Sequence, residues 1–365
     1  MKSNFTERVK TVKVKSFLER KKISLSWKNY FVTAMGAMAQ GLFASLLIGT
    51  ILGTLATWTG WAFLSDIAAF AKNNYVVGAA IGVAVAAALK ADGLVLFTCA
   101  VVGAMGYVMG AEIPVNGEVI AYTAGPAGSF IAVLLACECG KLVSKETKVD
   151  ILVTPIVTIL VGFAVSLLLC PLIAYAMYYL GDFINTATEL HPFFMGIIVA
   201  VVVGILLTLP ISSAAICAMI GITGLAGGAA TAGCCCQMIG FAVMSFRENR
   251  WGGLTAQGLG TSMLQMGNII KRPVIWLPTI LSSAIVGPLA TCVFKMVNSG
   301  VSAGMGTCGL VGPLGVITAT ENMDAFAWIG LILCCLVLPA ILTLAFSELM
   351  RKFRWIREGD LKLDL

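Results

Sequence analysis

The stretch Phe193–Phe246 contains no charged residue and is too long for a single membrane crossing. Proline and serine interrupt it at residues 210–213, and glycines interrupt it again at residues 224–228. Backbone polar groups in lipid need internal partners, so broken helices at membrane depth occur only beside protein or a watery cavity. Transporters build substrate sites from such breaks. The stretch therefore predicts a pathway for a solute.

The composition supports a membrane protein over its whole length. Of 365 residues, 59% are hydrophobic and only 12% are charged, and the mean hydropathy is +0.96. Soluble domains are about a quarter charged. The charged ends, residues 1–28 and 351–365, are too short to bury a soluble core. Because basic residues crowd both ends, the positive-inside rule predicts cytoplasmic termini in the inner membrane; the formal charge of +6 reflects orientation and not a nucleic-acid partner.

Hydropathy predicts an all-α polytopic protein with about ten membrane helices, including re-entrant hairpins. Ser212–Phe246 is expected to form one hairpin, Gly252–Asn268 a second re-entrant segment, and Asn298–Thr320 an external or re-entrant segment. Glu112–Ile120 reads as an external loop. The eight clear crossings are Tyr30–Leu55, Tyr75–Ala88, Leu94–Gly110, Ala121–Leu142, Ile151–Leu180, Phe193–Leu209, Val274–Phe294 and Phe326–Met350.

The same reading divides the chain into functional regions. Residues 1–28 form a basic amphipathic segment on the inner leaflet, and residues 29–190 a scaffold and dimerisation region. Residues 191–320 form the solute-binding region, followed by a final membrane helix, 321–350, and a cytoplasmic tail, 351–365. We expect a homodimer in which the hairpin-bearing region moves past the scaffold.

Twelve cysteines and a few buried charges are expected to be structural. Neighbours in Cys234–Cys236 point in different directions on a helix, so this triplet predicts packing, and we expect no metal, cofactor or catalytic residue. Glu138 and Lys141 have the spacing of a helical ion pair. Asp92 is expected to cap a helix, and His191 to begin one.

Three segments resemble motifs of one family, in the same order and with similar spacing. His191–Gly196 with Ile205–Ala215, Ser262–Leu289, and Pro313–Gly315 resemble motifs of the fructose-type membrane (IIC) subunits of the sugar phosphotransferase system. The chain most resembles the single-domain PfoR-type, IIC-like proteins. The resemblance implies a permease for a small polar, sugar-like solute.

The chain departs from these motifs where the sugar-phosphorylating relatives carry their functional side chains. The family's Glu falls at about Met263 and the His of its Pro-His-Gly-Gly motif at Leu314. Leu206 stands at an acidic position, and Ser212–Ser213 replace an Asn-Lys pair. The resemblance therefore implies binding without phosphotransfer by this chain. The alternatives are a membrane sensor with a soluble partner at the basic termini, and a phosphotransferase subunit with separately encoded partners.

Neutral polar residues and glycines of the motif region are the candidate solute ligands, since uncharged hydroxyls and amides suit a neutral solute. Each has a structural alternative: a turn, a packed glycine, or a hydrogen bond between helices. The candidates are Ser212, Ser213, Gln237, Thr261, Ser262, Gln265, Asn268, Gly312, Pro313 and Gly315.

Overall fold

The computed structural model describes residues 16–24, 26, 28–115, 118–321 and 323–363. Most of the predicted amphipathic segment 1–28 therefore lies outside the described residues. The chain divides into two units. The first unit contains the described residues before Phe43 and Asn74–Ile173, and the second contains Phe43–Asn73 and the described residues from Ala174 onward.

Helices account for nearly all of the regular structure. Short π-helical or 3₁₀ stretches join several of them, and one pair of strands, β1 (Gly110–Val115) and β2 (Glu118–Thr123), is antiparallel. In chain order the α-helices are α1 (Met35–Leu42), α2 (Ile48–Thr59), α3 (Ala62–Ala71), α4 (Asn74–Ala88), α5 (Gly93–Val108), α6 (Gly125–Val143), α7 (Asp150–Thr188), α8 (Pro192–Thr208), α9 (Ser213–Met219), α10 (Gly224–Met244), α11 (Phe246–Thr255), α12 (Met266–Lys271), α13 (Leu277–Pro288), α14 (Gly300–Ala303), α15 (Val311–Ala319), α16 (Ala325–Ile332) and α17 (Leu338–Lys352).

In the first unit, α4, α5 and α6 pack together through small residues. A Cβ on Gly103 of α5 would overlap the carbonyl oxygen of Gly78 on α4, so the two backbones lie in direct contact. Close approach through glycine is a common way for membrane helices to associate, because lipid offers no hydrophobic drive between them.

In the second unit, α10 is the central helix and packs against α8, α13 and α17. Every described side chain from Ala226 to Met238 on this helix is buried. Cys235 and Cys236 lie in an apolar cluster with Cys334 and Cys335, as the packing interpretation of these cysteines requires. A helix that is apolar on all sides is stable only when surrounded by other helices.

Six helices among the described residues are long and apolar enough to cross a membrane, or up to seven if one bent helix pair counts as a single span. They agree closely with predicted crossings: Ala325–Lys352 overlaps the predicted Phe326–Met350, and Pro273–Val293 the predicted Val274–Phe294. The α-helical polytopic fold class is therefore confirmed, whereas the count of about ten stays a prediction.

Two local predictions differ from the structure. The residues predicted as the external loop Glu112–Ile120 belong mostly to the strands of a β-hairpin with Gly110 opposite Thr123, and their external position stays a prediction. The predicted break at residues 224–228 lies earlier, at residues 220–223, because α10 begins at Gly224 and continues without interruption through Met244. Gly224 has a positive φ of 62°, a conformation that favours glycine and allows the chain to turn into the helix.

The charge predictions had mixed outcomes. Lys141 pairs with the Glu138 carboxylate at 3.0 Å, which confirms the helical ion pair. His191 begins α8, with its Nδ1 accepting the Phe193 backbone N–H, so the helix-start prediction is also confirmed. Asp92 does occupy the N-terminal cap position of α5, but its side chain makes no capping bond and instead pairs with two lysines.

Candidate functional site

A cleft of about 490 Å³ in the second unit is lined mainly by hydroxyl groups and small residues. We call it the hydroxyl cleft. It is bounded by α2, α3, Ser302 and α15, and Lys72 is the one charged side chain of its described lining. Its polar lining consists of Thr50, Thr54, Thr57, Ser65, Lys72, Ser302 and Thr318.

The three threonines of α2 are spaced by four and three residues, so they share one helix face. Each donates its hydroxyl hydrogen to its own helix: Thr50 to the Leu46 carbonyl at 2.8 Å, Thr54 to that of Thr50 at 3.1 Å, and Thr57 to that of Gly53 at 3.0 Å. A hydroxyl whose hydrogen is already used keeps its oxygen lone pairs as acceptors. This side of the cleft therefore presents acceptors to a ligand.

Asn298 fixes the opposite side of the hydroxyl cleft, and it is only 1% exposed. Its Nδ2 donates to Thr231 Oγ1 at 2.7 Å and to the Gly312 carbonyl at 3.1 Å. Its Oδ1 accepts from Ser302 Oγ at 2.7 Å. Ser302 Oγ also lies 2.7 Å from the Ser299 carbonyl, so two acceptors share its hydrogen and hold the side chain at the cleft wall.

The predicted glycines Gly312 and Gly315 have a packing role beside this asparagine. A Cβ on Gly315 would overlap Ser302 Oγ and Asn298 Oδ1, and one on Gly312 would overlap the Gly306 carbonyl. Gly315 also lines the cleft, whereas Pro313 lies between the two glycines in α15 and is not part of the lining.

Gln237 and Ser262 belong to a different, fully buried polar cluster. Gln237 Oε1 accepts from Trp276 Nε1 at 2.9 Å and Thr279 Oγ1 at 2.8 Å, and Ser262 Oγ lies 2.8 Å from Thr208 Oγ1. The Gln237 Nε2 group has no hydrogen-bond partner among the described residues. With a further bond from Thr208 Oγ1 to Gln237 Oε1 at 3.4 Å, this cluster joins α8, α10 and α13 and satisfies the oxygen of the Gln237 amide.

Gln265 and Asn268 form a third group, which binds the C-terminal tail. Gln265 Nε2 donates to the Leu361 carbonyl at 3.0 Å, and Asn268 Nδ2 donates to the Lys362 carbonyl at 2.8 Å. Asn268 also donates to Gln265 Oε1 at 2.9 Å, and Gln265 donates to Gln257 Oε1 at 3.0 Å. Both predicted amides are therefore engaged by protein atoms.

The remaining predicted residues lie at helix ends. Thr261 accepts the Met263 backbone N–H at the start of the 3₁₀ helix Ser262–Gln265. Ser213 begins α9 and donates to the Gly304 carbonyl at 2.7 Å, and Ser212 immediately precedes that helix. The ten predicted residues are thus distributed over several hydrogen-bonded groups and do not line a single pocket.

Comparison with known proteins identifies the family. The family model described as Phosphotransferase system, EIIC, matches residues 32–363, most of the chain. The chain belongs to the EIIC family. No curated protein sequence matches it significantly.

Membership places this EIIC protein among the membrane sugar-permease components of phosphotransferase systems. Together with the long apolar helices, it makes the chain a multi-pass membrane protein. No group of three His, Cys, Asp or Glu side chains suited to a metal ion occurs within the described part of this EIIC protein.

The two departures from the family motifs lie in different surroundings in this EIIC protein. Met263, which the resemblance places near the family's Glu, is 3% exposed, and the neighbouring Ser262 Oγ lies 2.8 Å from Thr208 Oγ1. Leu314, which the resemblance places at the family's His, lines the hydroxyl cleft with an apolar side chain.

The sequence analysis missed α2 and α3 as parts of a site. The signal was present, since Thr50, Thr54 and Thr57 form a polar stripe on one face of a mostly apolar helix. Ser65 and Lys72 are separated by seven residues, which places them on one side of α3, with Lys72 at its C-terminal cap.

Proposed function

We propose that this EIIC protein binds and translocates a small, neutral, polyhydroxylated solute in the hydroxyl cleft, and that it does not itself phosphorylate that solute. The observation that carries the proposal is the lining of the cleft. It combines threonine and serine hydroxyls with one lysine, and its described part contains no carboxylate or histidine.

The hydrogen-bonding capacity of the cleft matches a sugar or polyol. The α2 threonines offer oxygen acceptors for solute hydroxyl hydrogens, because their own hydrogens are bonded within the helix. The Lys72 ammonium is a donor only, and suits solute oxygens as acceptors. Its stem packs against Gly49, which directs the ammonium along α2 toward Gly53.

Leu314 and Met263 support the absence of phosphotransfer by this chain. Leu314 offers no hydrogen-bonding atom and Met263 only a weakly accepting sulfur, and neither side chain has a basic group that could take up a hydroxyl proton. The described lining of the cleft contains no carboxylate or imidazole, which are the side chains that most often take up a hydroxyl proton.

The proposal retains cytoplasmic termini and a homodimer formed through the scaffold region from the sequence analysis. Because α2 and α3 line the hydroxyl cleft and belong to the second unit, it moves Phe43–Asn73 out of that scaffold and lets these residues move together with residues 191–320 during transport. Reporter fusions at each end test the orientation. Chemical crosslinking in native membranes tests the dimer, and a monomer under all conditions would contradict it.

A thermal-shift screen of the purified protein against sugars, polyols, nucleosides and small acids tests solute binding, because a ligand of the native state raises its melting temperature. The affinity of a solute found in this screen should fall about five- to tenfold in Thr54→Val, because the substitution removes one hydrogen-bonding oxygen from the cleft. Thr59→Val is the matched control: Thr59 bonds its helix in the same way but is exposed and outside the lining. Equal weakening in both variants would contradict this binding site.

Phosphotransfer is tested separately by adding soluble energy-coupling proteins and the identified solute. Solute uptake into liposomes without phosphorylated product is the expected result. Phosphorylated product would overturn the non-phosphorylating proposal while leaving the cleft assignment intact.

A regulatory role is a second proposal, favoured by the docked tail. Glu248 accepts the Leu361 backbone N–H at 2.8 Å, Asn249 accepts that of Leu363 at 2.8 Å, and Arg272 pairs with Asp360 at 2.9 Å. A soluble partner that captured this tail would free the amides of Gln265 and Asn268. Solute-dependent release of the tail, measured by proteolysis after Arg357, together with no flux in liposomes, would favour the sensor.

A further inference from the structure

A second cleft, of about 300 Å³, lies in the first unit and is lined almost entirely by charged side chains. We call it the basic cleft. Six cations and two carboxylates line it, an excess of four positive charges. The cations are Arg20, Lys21, Lys22, Lys90, Lys141 and Lys145, and the carboxylates are Asp92 and Glu146.

Three separate turns bring these cations together. Lys22, Lys90 and Lys145 all have positive φ, of 55°, 57° and 63°, and each follows the end of a helical segment. A left-handed conformation is uncommon for a side chain larger than glycine, and such strain is often found at functional sites. All three turns also belong to segments that hydropathy places on the cytoplasmic side, at the ends of apolar helices.

Two of the six cations are buried and bonded within the protein, so they are not available to a ligand. Lys141 is 3% exposed and donates to the carbonyls of Lys22 and Leu89, at 3.2 and 3.0 Å, besides its pair with Glu138. Lys21, whose side chain is 8% exposed, pairs with Glu146 and donates to the Ser144 carbonyl.

The other four cations are accessible. The side chains of Arg20, Lys22 and Lys145 are 62%, 55% and 70% exposed. Lys90 is exposed and makes no ion pair with any described residue. Asp92 is shared between Lys22 and Lys145, at 3.2 and 2.8 Å, so one carboxylate faces two cations.

We propose that the basic cleft is a binding site for a phosphate-bearing anion at the membrane surface. Lys90 and Lys145 would contact the phosphate oxygens directly, with Arg20 and Lys22 completing the positive field. Several cations around one phosphate give charge-assisted hydrogen bonds, which are stronger than neutral ones. The anion can come from an anionic lipid headgroup or from a soluble phosphate compound, and both share this chemistry.

The test uses the full chain in nanodiscs, with melting temperature and native mass spectrometry as readouts. Inorganic phosphate is added to phosphatidylcholine nanodiscs, and a phosphatidylcholine–phosphatidylglycerol mixture is compared without phosphate. A higher melting temperature on adding phosphate would identify the bound anion as a soluble phosphate compound. A higher melting temperature with phosphatidylglycerol, together with lipid retained in the mass spectrum, would identify it as a lipid headgroup. Failure of both to bind would overturn the proposal.

Variants with opposite expected signs locate the binding. Lys145→Gln should weaken anion binding about fivefold, the effect of one lysine beside an anionic surface. Asp92→Asn should strengthen it by a similar factor, because it frees Lys22 and Lys145 from their shared carboxylate. Misfolding of a variant could explain weaker anion binding but not tighter binding, so the increase expected for Asp92→Asn cannot be attributed to a loss of folding.

Lys148→Gln is the control, since Lys148 is an exposed lysine of the same loop but does not line the cleft. Its binding should match that of the unmodified chain. Equal weakening by Lys145→Gln and Lys148→Gln would show a general charge effect and overturn the site. Weaker binding in Asp92→Asn would overturn it as well.

Discussion

The hydroxyl cleft and the basic cleft satisfy their polar groups in opposite ways. In the hydroxyl cleft, each threonine of α2 donates its hydroxyl hydrogen to a backbone carbonyl four residues earlier in the chain, so its hydrogen-bond partner is local in the sequence. In the basic cleft, charges that are far apart in the sequence pair with each other, such as Arg20 with Glu146 at 2.7 Å.

The difference teaches how each cleft can select a ligand. A hydroxyl bonded within its helix costs little to bury and remains neutral, which suits a neutral solute. A set of cations with too few carboxylates remains electrostatically unbalanced, which suits an anion. The following predictions test this contrast, from the largest expected effect to the smallest.

Lys141→Met should have the largest effect, because it leaves the Glu138 carboxylate and two carbonyls without their buried cation. Breaking one side of a buried ion pair costs about 3–5 kcal/mol. We expect a loss of this size in the unfolding free energy in mixed micelles. Lys145→Met, which removes an exposed lysine of the same cleft, should change it little. Equal losses of unfolding free energy in the two variants would contradict the distinction between buried and accessible cations.

Asn298→Ala should lower the unfolding free energy by about 2–3 kcal/mol, because it removes several buried hydrogen bonds and leaves their partners unpaired. It should also weaken solute stabilisation, because Ser302 loses one of its two hydrogen-bond acceptors and keeps only the Ser299 carbonyl. Asn185→Ala, on an exposed position of α7, is the control. Unchanged solute binding in Asn298→Ala would contradict the proposal that the solute binds in the hydroxyl cleft.

Salt should distinguish the two clefts in the same sample. Raising ionic strength from low to physiological should weaken phosphate binding at the basic cleft several-fold, because exposed charges are screened. Binding of a neutral solute at the hydroxyl cleft should stay nearly constant. Parallel titrations by melting temperature measure both, and a shared salt dependence would contradict the contrast.

Acid should loosen the basic cleft by a small amount. A hydrogen bond from Lys145, with Lys22 nearby, lowers the pKa of Asp92, and a hydrogen bond from Lys21, with Arg20 nearby, lowers the pKa of Glu146. A carboxylate with a lowered folded-state pKa stabilises the fold above its ordinary value and loses that contribution as pH falls through the folded value.

Amide hydrogen exchange of residues 16–24 measures this loss. The protection factors, which correct each exchange rate for the intrinsic rate at that pH, should be high at neutral pH and fall only below the ordinary values of 3.8 for Asp and 4.5 for Glu. Glu146→Gln should show faster exchange at neutral pH and a smaller response to acid. An unchanged acid response in this variant would contradict the role of ionised Glu146 in stabilising residues 16–24.

Much of the architecture could be predicted from the sequence, because hydropathy and helical spacing are local. The crossing predicted at Ile151–Leu180 lies within α7, and the Glu138–Lys141 pair follows from one helical turn. Even the missed β-hairpin had a local signal: Asn116–Gly117, between two alternating segments, is typical of a two-residue turn.

The ligand-facing groups could be predicted only in part. Gln265 and Asn268 were predicted as solute ligands, with a helix–helix hydrogen bond and a turn as their structural alternatives. Their partners are backbone carbonyls of Leu361 and Lys362, about a hundred residues away in the chain, and no periodic pattern encodes such a contact.

The sequence by itself determined that this chain is a helical membrane protein of the EIIC type, because those properties depend on hydropathy and on motifs within short segments. The tertiary structure decided which polar groups share a cleft. Lys22, Lys90 and Lys145 meet because three turns converge, and Thr54 lies beside the same cleft as Gly315 because two distant helices bound it. Such meetings depend on long-range packing, in which each helix is positioned by all of its neighbours.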